Sequence, residues 1–227
     1  MYSFIKRFFD ILASLLTLII LSPFLIPIII GLKLTGEGYI WYFQKRVGYK
    51  NQFFDIWKFA TMLKNSPNMG TGSLTTRNDP RVTPMGGFLR KTKINELPQV
   101  VNVLIGNMSI VGPRPQMQVD FDIYPEKVKK HIYDSVPGIT GIGSIVFRDE
   151  EKLMSETDMP IRDFYVQHIA PYKGLLELWY QDNKSFMTDT KIIILTAWAI
   201  FFPETDLTYQ WFPDLPPKPA ILILEEK

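Results

Sequence analysis

The pattern of apolar and polar positions sets residues 11 to 32, ILASLLTLIILSPFLIPIIIGL, apart from the rest of the chain. They carry no charge, and as a helix these 22 residues would extend ~33 Å, close to the thickness of a bilayer core. Pro23 and Pro27 fall inside the run. Pro23 has no N–H and its ring presses on the carbonyl four residues earlier, at Ile19, so a bend is expected there. Ser22 can offer its hydroxyl to the freed carbonyl. Basic residues flank both ends, Lys6 and Arg7 before and Lys33, Lys45, Arg46 and Lys50 after. Since positive charge favours the cytoplasmic side, a re-entrant helix broken at Ser22-Pro23 is preferred to a straight span. The 12 residues from Ile11 to Ser22 give ~18 Å, enough to reach mid-bilayer and turn. A cleaved signal peptide fits poorly: the run is long, holds two prolines and is followed by KLTGEG rather than a small-x-small site.

Beyond it, GYIWYFQKRVGYKNQFFDIWKFATML alternates aromatic and β-branched residues around a Gly and Asn turn, predicting extended segments near the interface, where Trp41, Tyr42 and Trp57 would be at home. Residues 64 to 84 read as a long polar loop, functional or mobile. Helix is expected in GGFLRKTKI, in NELPQVVNVLIG up to the break at GPRP, and in PEKVKKHIYDS, opened by Pro125. GSIVF reads as a short strand and DEEKLMSE as a short helix. In RDFYVQHIAPYKGLLELWYQDN the period is helical, with an interruption at Pro171. TDTKIIILTAWAIFFP is too short to span; it suits a core helix and a helix in the headgroup layer equally well. The expected fold is an α-rich α/β protein with a re-entrant membrane helix in residues 1–35. A compact cytosolic domain with interfacial amphipathic helices follows over 36–227.

Composition narrows the chemistry. A net charge of +2 gives no electrostatic case for nucleic acid, and none is expected as a partner. The absence of cysteine excludes disulfides, thiolate metal sites and thiol nucleophiles. With only His131 and His168 present, a multi-histidine metal cluster is excluded as well. Carboxylates and basic residues must carry any catalysis.

Basic and small residues gather in RNDPRVTPMGGFLRKTKINELPQ and in MSIVGPRP. In GPRP, Gly112 lets backbone approach a ligand, and Arg114 between two prolines can grip phosphate oxygens; a plain tight turn fits the same four residues. In INELP, Asn95 reads as an N-cap and Pro98 as a first-turn residue, placing Glu96 at a helix N-terminus that favours anions. With Arg90 a turn or two earlier, these residues outline a phosphate pocket holding one carboxylate. A capped helix whose dipole Glu96 complements is the alternative.

Those residues carry a resemblance. LRKTKINELPQVVNVLIGNMSIVGPRP resembles the signature of bacterial sugar transferases, the monotopic polyprenyl-phosphate phosphoglycosyl transferases. KRFFDILASLLTLIILSPFLIPI resembles their re-entrant helix, and the likeness continues through QKRVG, NDPRVTPMGGFLRK and PGITG, covering about residues 4 to 148. The resemblance implies transfer of a sugar-1-phosphate from a nucleotide sugar, with uridine the expected base, to polyprenyl (undecaprenyl) phosphate. It implies Mg²⁺, an adjacent Asp-Glu pair whose aspartate attacks phosphorus, and a place on the cytoplasmic face of the bacterial inner membrane. Undecaprenyl phosphate, a nucleotide sugar and the membrane are thus the expected partners; a second copy of the chain is also carried, with the oligomeric state unread. Here the aspartate position holds Asn95, whose carboxamide is a weak nucleophile and a neutral ligand, while Glu96 is kept. Asn107 and Ala60 also depart from the usual pattern. Three readings stay open: attack by another carboxylate (Glu96 first, then Asp149, Glu150 or Glu151), direct transfer to the lipid phosphate, or an inactive homologue that binds nucleotide sugar or scaffolds partners. The candidate set is Glu96 and Asn95 for catalysis, with Glu96 also as metal ligand. Arg81, Arg90, Arg114, Arg148, Gly112 and Lys58 are candidates for phosphate and substrate.

Overall fold

The structure, a computed structural model, describes residues 2–69, 79–202 and 205–223. Helix α1 (Tyr2–Leu34) runs through both Pro23 and Pro27 as one helical element, which corrects the expected break at Ser22-Pro23. The Ser22 hydroxyl donates to the Ile19 carbonyl at 2.9 Å, occupying the acceptor that Pro23 leaves without its helical N–H. Only Asp10, Ser14 and Leu32 of this helix are buried, while Leu16, Ile19, Ile20 and Phe24 in its middle are exposed. It is the one helix among the described residues long and apolar enough to cross a membrane.

The aromatic segments form an antiparallel hairpin, β1 (Trp41–Val47) and β2 (Phe53–Phe59), with Lys45 opposite Asp55. Thr83 caps α2 (Pro84–Lys91) by accepting from the Gly86 N–H, with Pro84 at the first helical position. Of the polar loop expected over residues 64 to 84, residues 70–78 lie outside the described residues. α3 (Gln99–Ile105) ends at Gly106, whose φ of +96° supplies the left-handed C-terminal turn. Next come β3 (Ser109–Val111), α4 (Gln118–Phe121), and α5 (Glu126–His131), which opens after Pro125 as expected. β4 (Gly138–Thr140) pairs with β3 in parallel.

α6 (Ile142–Val146) is a correction: GSIVF is helical rather than a strand. The β-branched residues there bury Ile142, Ile145 and Val146 in the main core, and that packing overrides their strand preference. α7 (Glu150–Ser155) matches the expected short helix. α8 (Ile161–Phe164) passes through a π-helical turn at Tyr165–Ile169 into α9 (Ala170–Asn183). The interruption expected at Pro171 is therefore a widened turn just before it, where the ladder absorbs the missing N–H, and the helix continues. α10 (Phe186–Phe201) buries Thr188, Asp189, Ile192 and Leu195 and exposes Phe186, Met187, Ile193, Ile194 and Ile200, so it is a core helix on one face only. α11 (Thr208–Trp211) closes the fold over the main core, which Ile132, Tyr133, Ile142, Ile169, Leu176 and Tyr180 fill.

Both ends of α1 rest on this one body. At the start, Arg7 donates to the Val103 and Leu104 carbonyls at 2.5 and 2.7 Å, capping α3, and Asp10 accepts from the Ile110 N–H of β3 at 3.0 Å. Lys6 and Tyr2 both reach Asp189 of α10, at 2.5 and 2.7 Å. At the far end, Leu32 packs with Phe59 and Leu89, joined by Leu25, Ile28 and Ile29.

Candidate active site

Two local devices bring the chemistry together. The first is Asn102 of α3, fully buried, whose amide oxygen accepts from the Trp57 N–H at 2.9 Å while its NH₂ donates to the Asp55 carbonyl at 2.8 Å. The side chain thus pairs with the edge of β2 as a neighbouring strand would and fixes α3 against the hairpin. Just upstream, Lys93 takes a left-handed conformation (φ 58°) and the chain tightens into a 3₁₀ turn at Ile94–Glu96. Lys58, near the end of β2, then meets Glu96 Oε1 at 2.8 Å.

The second device is a stack of glycines. Gly112 donates to the Thr140 carbonyl at 2.9 Å and Gly138 to the Pro113 carbonyl at 3.0 Å. A Cβ on Gly112 would lie 2.4 Å from the Val136 carbonyl oxygen, and one on Gly138 would lie 2.1 Å from the Gly112 nitrogen. GPRP and PGITG can touch only because both are bare backbone there. The contact aims Arg114, whose Nη2 reaches Glu96 Oε1 at 3.2 Å. Its backbone is fixed on both sides, the N–H donating to Glu177 Oε1 at 3.4 Å and the carbonyl accepting from the Tyr133 hydroxyl at 3.0 Å.

One carboxylate therefore faces an excess of cations. Burial alone would raise the Glu96 carboxyl, but the charges of Lys58 and Arg114 outweigh it and hold it well below the usual carboxylate range. Its pairing stabilises the fold at neutral pH and is lost only in acid, as pH falls through that depressed value. Lys58 is pushed down to about 8, chiefly by burial, with Glu96 opposing and Arg114 and Arg46 assisting. Arg46 is lowered by burial and then by Arg114; it donates to Gln44 at 2.5 Å and to the Pro115 carbonyl at 3.3 Å. Among the described residues, the side-chain atoms buried without a hydrogen-bond partner include Arg46 Nε, Asn95 Oδ1, Gln99 Nε2 and Glu177 Oε2. Polar groups orphaned around a cationic cluster are what a polar ligand would satisfy.

Lys58, Glu96, Gly112 and Arg114 of the sequence candidates thus converge. The other three arginines make their contacts elsewhere: Arg81 is buried on Asp79 at 2.6 Å and on the Ser66 and Met69 carbonyls, Arg90 lies 3.8 Å from Glu151, and Arg148 lies 3.5 Å from Asp149. Asn95 corrects the expected cap. It lies inside the 3₁₀ turn, buried and without a capping bond, because the left-handed Lys93 starts the turn early and leaves Pro98 as the residue before α3. Arg46 went unassigned although it stands in the quoted QKRVG. Glu177 went unnoticed, its signal being a lone acid between Leu176 and Leu178 on an otherwise apolar helical stretch.

A long apolar helix suited to association with a membrane is thus joined to a small α/β body in which one ionised glutamate sits among half-buried cations. The comparisons with known proteins are more specific. The model of the bacterial sugar transferase family matches residues 1–203, and the chain belongs to that family. It is 35% identical over 196 residues to the undecaprenyl-phosphate glucose phosphotransferase of Komagataeibacter xylinus, covering 84% of this chain and 35% of the relative. It is 34% identical over 200 residues to the UDP-glucose:undecaprenyl-phosphate glucose-1-phosphate transferase of Escherichia coli K12, covering 87% of this chain and 40% of that protein. To the exopolysaccharide production protein PSS of Rhizobium leguminosarum bv. phaseoli it is 34% identical over 198 residues, 85% of this chain and 93% of the relative. The chain therefore spans less than half the length of the first two and nearly all of the third.

Proposed function

We propose that the protein transfers a sugar-1-phosphate from a UDP-sugar to undecaprenyl phosphate at the cytoplasmic face of the bacterial inner membrane, beginning the assembly of an exopolysaccharide. The observation that carries the reading is Glu96 held ionised between Lys58 and Arg114, with Arg46 behind them. Three cations against one carboxylate leave a net positive pocket for a diphosphate. Arg114, fixed between two prolines, and Lys58 then neutralise charge that builds on the transferred phosphoryl oxygens. The activities for which the relatives are named support the same chemistry.

Among the described residues no group of three or more acidic or histidine side chains gathers to hold a metal by itself. The donors nevertheless suit Mg²⁺, which takes oxygen ligands and leaves most of its shell to substrate phosphates: Glu96 offers a carboxylate, and Asn95 Oδ1 is a buried oxygen without a partner. When bound, the ion would supply charge neutralisation on the diphosphate. Glu96 is the acid best placed to act on phosphorus or on the ion, since Asn95 offers only a carboxamide.

The two ends of α1 support the re-entrant reading. A helix crossing a core of ~30 Å leaves its ends on opposite sides, so one soluble body can touch both only if the helix lies flat or returns. Here Arg7 and Asp10 bind α3 and β3 while Leu32 packs on Phe59, and the exposed apolar middle lies between them. A tag at Met1 is expected to be cytoplasmic, together with Lys50; labelling of a Met1 tag from the periplasm alone would make the helix a span.

The activity is tested with purified protein, Mg²⁺, undecaprenyl phosphate and a panel of labelled UDP-sugars. Transfer of label to lipid is expected for at least one donor, and no lipid product from any donor would overturn the proposal. Exchange of labelled UMP into UDP-sugar without lipid then separates a covalent route from direct transfer.

A further inference from the structure

Glu177 lies outside the cation pocket yet holds its most exacting element in place. It is 1% exposed, its Oε1 accepts from the Arg114 N–H, and its Oε2 is buried without a partner. Its approach is possible only because residue 143 is glycine, since a Cβ there would sit 2.4 Å from Oε1. The facing groups are Arg114 from the loop after β3, Tyr133 and Tyr124 from the segments flanking α5, and Lys173, one turn before Glu177 on α9, which engages Glu150 of α7 at 2.6 Å. With Lys173 committed to Glu150, Glu177 has no side-chain ion pair among the described residues.

We propose that Glu177 is a positioning residue that governs how strongly Arg114 holds phosphate: neutral, it only anchors the Arg114 backbone, and ionised, it competes with the ligand for the guanidinium. Burial pushes its carboxyl up to about 7, against the Arg114 N–H and the charges of Lys173 and Arg114, so the change falls in the physiological range. The sign follows. Below that value the pocket keeps its full positive excess; above it a second negative charge sits beside Arg114 and weakens anion binding. The folded protein also loses stability as pH rises from the ordinary value of 4.5 to about 7, where the loss is complete, because the ionised form is the one that burial disfavours.

The inference rests on Arg114 as a phosphate ligand, and the test separates the two. UDP-glucose, whose diphosphate keeps its charge from about pH 6 to about pH 8, is bound to the full chain in lipid nanodiscs. The wild type is expected to bind about fivefold more weakly at the upper pH, while Glu177→Gln keeps only the smaller slope that Lys58 imposes as it loses charge toward about 8. Equal slopes in the two proteins would overturn the proposal, as would melting temperatures that run parallel with pH. Should Glu177→Gln fail to fold, a flat wild-type affinity across the range is the overturning result. Sulfate is the second probe. A sulfate slope that Glu177→Gln reduces, with no binding of UDP-glucose, would retire the donor reading and keep the role of Glu177; a slope equal in the two proteins, or none with either anion, removes that role.

Discussion

Glu96→Gln is expected to reduce sugar-phosphate transfer by about 10²- to 10⁴-fold while tightening the binding of UDP. The two effects share a cause. Glutamine fills the same space but removes the negative charge that Lys58 and Arg114 now neutralise, at 2.8 and 3.2 Å. The pocket then holds three cations and no anion, which favours a bound diphosphate in the ground state. Any step that needs a carboxylate, whether attack on phosphorus or donation to Mg²⁺, loses it. Losing a charged partner in a half-buried cluster costs about 1–3 kcal/mol of stability, so the variant should still fold and the comparison can be read. The measurement is initial-rate transfer at saturating donor, beside UDP affinity by calorimetry. Retention of more than about a tenth of the turnover would remove Glu96 from its role.

The second large effect is on folding. Gly112→Ala should destabilise the protein by about 3 kcal/mol or more, because the added methyl meets backbone rather than a side chain that could move aside. Its Cβ would stand 2.4 Å from the Val136 carbonyl oxygen and 2.8 Å from the Gly138 nitrogen. Relief requires β3 and β4 to separate, and that breaks the bond from Gly112 to Thr140 and displaces Arg114. Gly87→Ala is the matched control. Gly87 lies inside α2, its nearest neighbour to a new Cβ is Val82 at 4.0 Å, and alanine is the better helix former, so a gain of up to about 1 kcal/mol is expected. Thermal unfolding of the two variants beside the wild type checks both signs; a Gly112→Ala protein as stable as wild type would contradict the packing described here.

What could be read in the sequence was whatever depends on local chemistry. The extended segments of residues 41 to 59, though not their pairing, were legible from aromatic and β-branched residues around a Gly and Asn turn, and α5 from Pro125. The Ser22 bond to Ile19 follows from the geometry of proline alone. What failed depends on contacts distant in the chain. IGSIV has strand-like residues but lies where a helix fits between β4 and α9, so tertiary packing decided it. Asn95 has the composition of a cap, yet a left-handed turn at Lys93, for which the sequence carries no glycine or asparagine, moved the helix start past it. Glu96, Lys58 and Arg114 were named as candidates from the sequence, but their mutual contact was not legible, since it comes from Asn102 of α3 against β2 and from the glycine stack. Arg81 looked like a ligand for phosphate by charge alone; Asp79, two residues away, and the nearby carbonyls already hold it.

The opening turns of α1 bear on more than attachment. Arg7 caps the C-terminal end of α3, the helix that follows Glu96, and Asp10 holds the strand that leads into Arg114. The greasy anchor is therefore also a strut: its polar foot clamps the two arms of the vice between which phosphate would be gripped. Any tilt of α1 in a bilayer would reach those arms through these few hydrogen bonds, so the lipid around the helix would take a mechanical part in shaping the pocket.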